Sequence, residues 1–279
     1  MEYLDTNSII KILMLLPEEL RNIKQISKYL ENIIEQNEVL NNIIKYGIDE
    51  NSYRIYAVNG NLQLLKYMYH MYNIIPEDII EIVVRFGYLE CLKFLLKNFN
   101  RKYSIYFKNK ICSYASLNGH LECLKYLKEN KFQITNETIY SAAENGYLEC
   151  LKFCLENIND KTRIDHVACN KAVIKGYLDC LKYACENGCS YDGYTFGITA
   201  AYGHLECLKY LHSIKCQCFS TLCQNAAEGG HIECLKYLHN VGYQILVKNN
   251  YELRSLIVKL IKDKHKECAT YVLEHYVIE

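Results

Sequence analysis

A glycine returns along this chain at Gly60, Gly87, Gly119, Gly146, Gly176, Gly203 and Gly230, at intervals of 27, 32, 27, 30, 27 and 27 residues, and each time opens a similar stretch. "GYLECLKFLLKN" begins at Gly87, "GHLECLKYLKEN" at Gly119, "GYLECLKFCLEN" at Gly146 and "GHIECLKYLHNV" at Gly230. A worn eighth copy, "KHKECATYVLEH", has Lys264 in place of the glycine. A period of this size means an array: one unit is too small to bury its own apolar face and must stack on its neighbours.

Within a copy, apolar residues stand at +2, +4, +5 and +8 from the glycine. That is the i, i+3, i+4 spacing of an amphipathic helix. The residues at +2 (Leu62, Leu89, Leu121, Leu148, Leu178, Leu205, Ile232) and at +5 (Leu65, Leu92, Leu124, Leu151, Leu181, Leu208, Leu235) are both expected to face inward. The acidic residue at +3 and the lysine at +6 lie one turn apart on the outer face, a solvated pair contributing roughly 0.2–0.5 kcal/mol.

Ahead of each glycine a segment such as "ETIYSAAENG" predicts a companion helix, N-capped at Asn136, Asp165, Asp192 and Ser220 or Thr221. Small residues four before the glycine, Ala115, Ala142, Ala172, Thr199 and Ala226, let these first helices pack closely. The glycine is expected to take the left-handed conformation that ends the first helix and leads into the second.

A small-residue helix, then "AAxxG", then a "GHLEVVKLLL"-like helix is the pattern of the ankyrin repeat, and "SAAENGYLECLKFCLEN" at 141–157 resembles it closely over a region from about Asn51 to Glu279. The short, cysteine-bearing form is similar to a variant abundant in giant DNA viruses of amoebae and found in some protists. The resemblance implies an all-α, ankyrin-like helix–turn–helix solenoid of seven to eight repeats. The Thr-Pro opening and the Gly-Ala-Asp hairpin of ordinary ankyrin repeats are missing, so little or no β-hairpin is expected. Insertions fall around "FNRKYSIYFKNK" and "NINDKTRIDH", and "YQILVKNNYELRSL" reads as an irregular joint before a capping final copy.

Residues 1–47 do not follow the repeat and are expected to form a small helical N-terminal block ahead of the array at 48–279. The block's "IL..LP.E.L" opening and "ISK.L.NI" centre are similar to an F-box, which would dock on the Skp adaptor of a cullin-RING ubiquitin ligase through Leu13, Leu16, Pro17, Leu20, Ile23 and Ile26. The alternative is a purely structural or decoy binding protein in which the block is a plain cap over the array's first apolar edge.

Lys plus Arg equals Asp plus Glu at 32 each, so charge gives no prompt toward nucleic acid or an anionic membrane, and neither is expected as a partner. The N-terminus lacks the basic start of a signal peptide, and no apolar run approaches a bilayer span. Fifteen cysteines is an odd number, and Cys91, Cys123, Cys150, Cys180, Cys207, Cys234 and Cys268 share the +4 position, which points to buried, reduced thiols inside a cell, host cytoplasm if the chain is viral. His212, Cys216, Cys218 and Cys223 have the ligand types of a zinc site, yet Cys216 and Cys223 recur at repeat positions that packing explains. The histidines His120, His204 and His231 share one scaffold position, +1. No phosphate loop, nucleophile elbow or metalloprotease motif occurs, so neither an enzyme nor a cofactor is expected.

What remains is binding. The resemblance implies that the residues just before each glycine face the partner, a protein of unidentified kind: Arg85, Phe86, Leu117, Asn118, Glu144, Asn145, Ile174, Lys175, Tyr202 and Glu228. Tyr114, Tyr140 and Tyr194, with Tyr202, supply large contact area at low entropic cost.

Overall fold

A computed structural model describes residues 54–278 apart from 55–56, 64, 67–68, 70–75, 77, 99–102, 159–164 and 217–220. The N-terminal block with Leu13, Leu16, Pro17, Leu20, Ile23 and Ile26 lies outside the described residues, as do Cys218, Ser220 and most of the "NINDKTRIDH" insertion.

The chain forms two compact units, residues 1–101 and 102–279. In the first, α1 (Asp78–Arg85) and α2 (Leu89–Asn98) make a helical hairpin. The second contains α3 (Ile105–Leu117), α4 (Leu121–Glu129), α5 (Asn136–Asn145), α6 (Leu148–Asn157), α7 (Val167–Lys175), α8 (Leu178–Glu186), α9 (Gly193–Tyr202), α10 (Leu205–Ser213), α11 (Leu222–Glu228) and α12 (Ile232–Asn240). A last hairpin follows, α13 (Asn250–Lys262) and α14 (Lys266–His275), bracketed by strands β1 (Ile245–Val247) and β2 (Tyr276–Ile278). This is the all-α repeat solenoid expected, and the strands pair in parallel, Ile245 opposite Tyr276, rather than as a hairpin.

In the second unit the first helices (α3, α5, α7, α9, α11) follow one another in one layer, and the second helices (α4, α6, α8, α10, α12) in another, less tightly packed. The reason is side-chain size. Ala115, Ala142, Ala172, Thr199 and Ala226 are fully buried, so the first-helix backbones can approach. The leucines at +5 fill the space between layers and are likewise fully buried. Those at +2 are only half-buried, against expectation. Leu121, Leu148, Leu178 and Leu205 each begin a second helix, at the turn end of the hairpin, where no preceding turn of their own helix covers them.

Gly146 ends α5 in the left-handed conformation, φ 74°. Its N–H bonds to the Ala143 carbonyl and that of Tyr147 to the Ala142 carbonyl, closing a Schellman turn. A second constraint acts at the same place: a Cβ on Gly146 would lie 2.6 Å from the Tyr177 ring, the +1 residue of the next copy. At Gly203 the covering ring is that of His231. The +1 rings are also tethered, since the Ile174 carbonyl accepts from His204 Nε2 at 3.1 Å. In the final copy Lys264 keeps the left-handed turn, φ 69°, and the same backbone bonds, from its own N–H to Ile261 and from His265 to Leu260.

Four local expectations need correction. The N-cap of α5 is Thr135, not Asn136, because Thr135 and Thr138 form a reciprocal capping box. The described part of the first insertion continues as helix: Ser104 caps α3, accepting from the Phe107 N–H at 3.1 Å, and α3 runs 13 residues against 10 in α5. The supposed irregular joint is β1 followed by α13, capped by Asn249, whose Oδ1 accepts from the Glu252 N–H at 2.9 Å. At α9, Asp192 caps as expected, accepting from the Tyr194 and Thr195 N–H groups, each at 3.0 Å. The residue flanking α7 is His166, not the expected Asp165, although Asp165 Oδ1 still accepts from the Val167 N–H at 2.9 Å.

Candidate partner-binding face

The cysteines at +4 are buried. Burial, and next the acidic residue at +3, pushes the thiols of Cys91, Cys123, Cys150, Cys180, Cys207 and Cys234 up to about 11. They are protonated at neutral pH and carry no thiolate chemistry. The candidate zinc ligands have other partners: His212 Nδ1 meets the Tyr237 hydroxyl at 2.8 Å, Cys216 donates to the Asp192 carbonyl at 3.2 Å, and Cys223 to the Tyr243 carbonyl at 3.3 Å. Among the described residues no group of three or more His, Cys, Asp or Glu side chains is placed to hold a metal ion. None of the described helices is long and apolar enough to cross a membrane.

The residues preceding the glycines divide by what their side chains do. In the first unit Arg85 pairs with Glu81 at 2.9 Å, and Phe86, 50% exposed, stacks on Tyr88 with centroids 6.1 Å apart. In the second unit Leu117, Lys175 and Tyr202 are exposed. Asn118 and Asn145 turn back, donating through Nδ2 to the carbonyls of Tyr114 and Ser141 at 2.9 and 3.0 Å, and so finish their own helices. Glu144 pairs with Lys171 of the next first helix at 2.9 Å, and Ile174 is half-buried beside the His204 tether. Burial works against ionisation of Glu228, but bonds from Lys259 at 2.6 Å and Gln224 at 2.9 Å hold its carboxyl below the usual range.

The tyrosines divide too. Tyr194 and Tyr202, at either end of α9, are 61% and 51% exposed. Tyr140 instead donates to Asp165 at 2.7 Å, and burial together with that bond pushes its hydroxyl up to about 12. Tyr114 is half-buried, with Lys110 Nζ 5.3 Å from its ring centroid.

The sequence did not single out the depression between α3 and α5. It has a volume of about 570 Å³ and is lined by Tyr106, Asn109, Tyr114, Leu117, Glu137 and Ser141, among others. Ile105 and Tyr106 stand 74% and 77% exposed, and Asn109 Oδ1 is buried without a hydrogen-bond partner among the described residues, an acceptor open to an incoming N–H. The extra turn of α3 builds this feature. Its signal in the sequence is the long interval between Gly87 and Gly119.

A family model for ankyrin repeats, in three copies, matches residues 80–165 and 139–221, together just over half of the chain. The chain belongs to the ankyrin-repeat family, whose members are protein–protein interaction scaffolds and generally not enzymes. Among solved structures, the human ASB11 ankyrin repeat domain is similar with a TM-score of 0.50 and 18% identity, over 64% of this chain and 96% of that one. At that identity the likeness concerns the fold. No curated protein matches the chain.

Proposed function

We propose that the protein is a non-enzymatic scaffold that holds a protein partner on the first-helix layer of its second unit, around Tyr194, Tyr202 and Lys175 of α9 and α7 and the Tyr106–Leu117 depression of α3. One observation carries this reading. Large apolar side chains stand exposed on the first helices, at Ile105, Tyr106, Leu117, Tyr194 and Tyr202, while α4, α6, α8, α10 and α12 expose none. Exposed tyrosine offers wide, stiff contact area, and a cluster of it is the usual core of a protein interface.

The test uses the full chain and a partner captured with it. Tyr194→Ala with Tyr202→Ala is expected to weaken binding at least tenfold, and Glu206→Ala with Lys209→Ala on α10 to leave it unchanged. Equal losses would remove the first-helix layer from the role.

The finer role, substrate adaptor for a cullin-RING ligase, rests on the sequence of residues 1–47 alone. Binding of the full chain to a Skp adaptor, lost in Leu16→Ala with Pro17→Ala, supports it; absence of binding leaves the block as a cap. The short cysteine-bearing copies resemble those of amoebal giant viruses, and every described cysteine is a free thiol. Both features suit work in a reducing host cytoplasm.

A further inference from the structure

We propose that Cys169 and Cys185 are an oxidisable pair that a hydroperoxide converts to a disulfide, fastening α7 to α8. Cys169 lies on α7 and Cys185 on α8, with their sulfur atoms 3.6 Å apart. Cys189, just past the turn that ends α8, lies against the same Cys169 sulfur. Cys169 and Cys189 are buried, and Cys185 is partly exposed, which gives an oxidant one point of entry.

The other copies show how unusual this junction is. The three thiols occupy the positions at −7, +9 and +13 from Gly176. At the same positions stand Cys112, Lys128 and Phe132 around Gly119, then Phe196, His212 and Cys216 around Gly203, then Cys223, His239 and Tyr243 around Gly230. Each of those three junctions contains at least one ring, and the Gly87 and Gly146 copies have isoleucine and leucine at the first two positions, Ile80 with Leu96 and Ile139 with Leu155. Only the Gly176 copy replaces every large side chain by a thiol, so core filling alone does not account for its composition.

A disulfide requires the sulfurs to close to about 2.05 Å, a shift of about 1.5 Å that side-chain rotation can supply when the sulfurs already touch. In the first step the Cys185 sulfur attacks the peroxide, the O–O bond breaks, and Cys185 becomes a sulfenic acid with release of water. In the second the Cys169 sulfur attacks the Cys185 sulfur, the S–O bond breaks, and the departing hydroxide leaves as water with the Cys169 proton. Two thiols lose two electrons in total and one hydrogen peroxide becomes two waters. The neighbouring thiols and burial hold Cys169 protonated, so the partly exposed Cys185 meets the oxidant, and Cys169 gives up its proton only as it attacks the sulfenic sulfur. The bond closes a loop between positions 16 residues apart and ties together the hairpin that displays Lys175.

The experiment treats the reduced full chain with equimolar hydrogen peroxide, blocks the remaining thiols, and maps disulfides by mass spectrometry without reduction. The expected result is a linked peptide containing Cys169 and Cys185, a thermal midpoint raised by about 5 °C, and reversal of both by dithiothreitol. Cys185→Ser should abolish the link and the shift. Cys169 and Cys185 both remaining open to alkylation, or a link joining Cys169 to Cys189, would overturn the proposal.

Discussion

The two helix layers of the second unit are built from the same repeat and treat solvent differently. On the second helices the outward residues recur: Lys125–Glu122, Lys152–Glu149 and Lys209–Glu206 each pair at 2.7 Å. Such exposed pairs add little stability and keep a surface wet and unselective. On the first helices the buried positions recur, as alanine or threonine, but the outward ones before the glycine do not: Leu117, Lys175 and Tyr202 share neither size nor charge. Repetition therefore marks what packs against a neighbouring copy. Recognition falls to the positions that packing leaves free to vary.

The joint between the layers should give the largest effect. Gly146→Ala is expected to cost about 2–4 kcal/mol in urea unfolding, from the left-handed backbone and from crowding against Tyr177. In a Tyr177→Ala background the cost should fall by about 1 kcal/mol. An unchanged cost would mean that the ring is not what excludes a side chain there. Lys264→Gly, at a left-handed turn already bearing a side chain, should instead gain about 1 kcal/mol.

Next comes the contrast in function: Tyr194→Ala with Tyr202→Ala should reduce partner affinity tenfold or more, about 1.4 kcal/mol, while shifting stability by less than about 0.5 kcal/mol. A smaller effect follows pH. Burial holds the His231 ring below its ordinary value of 6.5. The unfolded chain therefore takes up a proton in a window just below pH 6.5 where the folded one does not, and stability falls as the pH drops through it. His231→Tyr, the residue of other copies at this position, should flatten that slope in urea midpoints measured between pH 5 and 7. Smallest of all, Lys152→Ala should shift the urea midpoint only slightly, and less still in high salt.

Much of this was legible because the chain states it repeatedly. The glycine phase, the +5 leucines and the Asp192 cap follow from spacing and capping chemistry. The binding positions were harder, since a repeat alignment shows where a residue stands but not which hydrogen bonds it can reach. Asn118 and Asn145 look free in sequence, yet a carbonyl four residues earlier is always within range of such a side chain. Tyr140 meets Asp165 only across a helix pair. The parallel pairing of β1 with β2 joins segments 31 residues apart, beyond any local pattern.

The most direct test of the division between layers is the affinity of a captured partner for two double variants of the full chain, read beside their unfolding midpoints. Tyr194→Ala with Tyr202→Ala should lose at least tenfold in affinity at unchanged stability, and Glu206→Ala with Lys209→Ala should lose nothing. Retained affinity in the first variant, or an equal loss in the second, would contradict the assignment of recognition to the first helices.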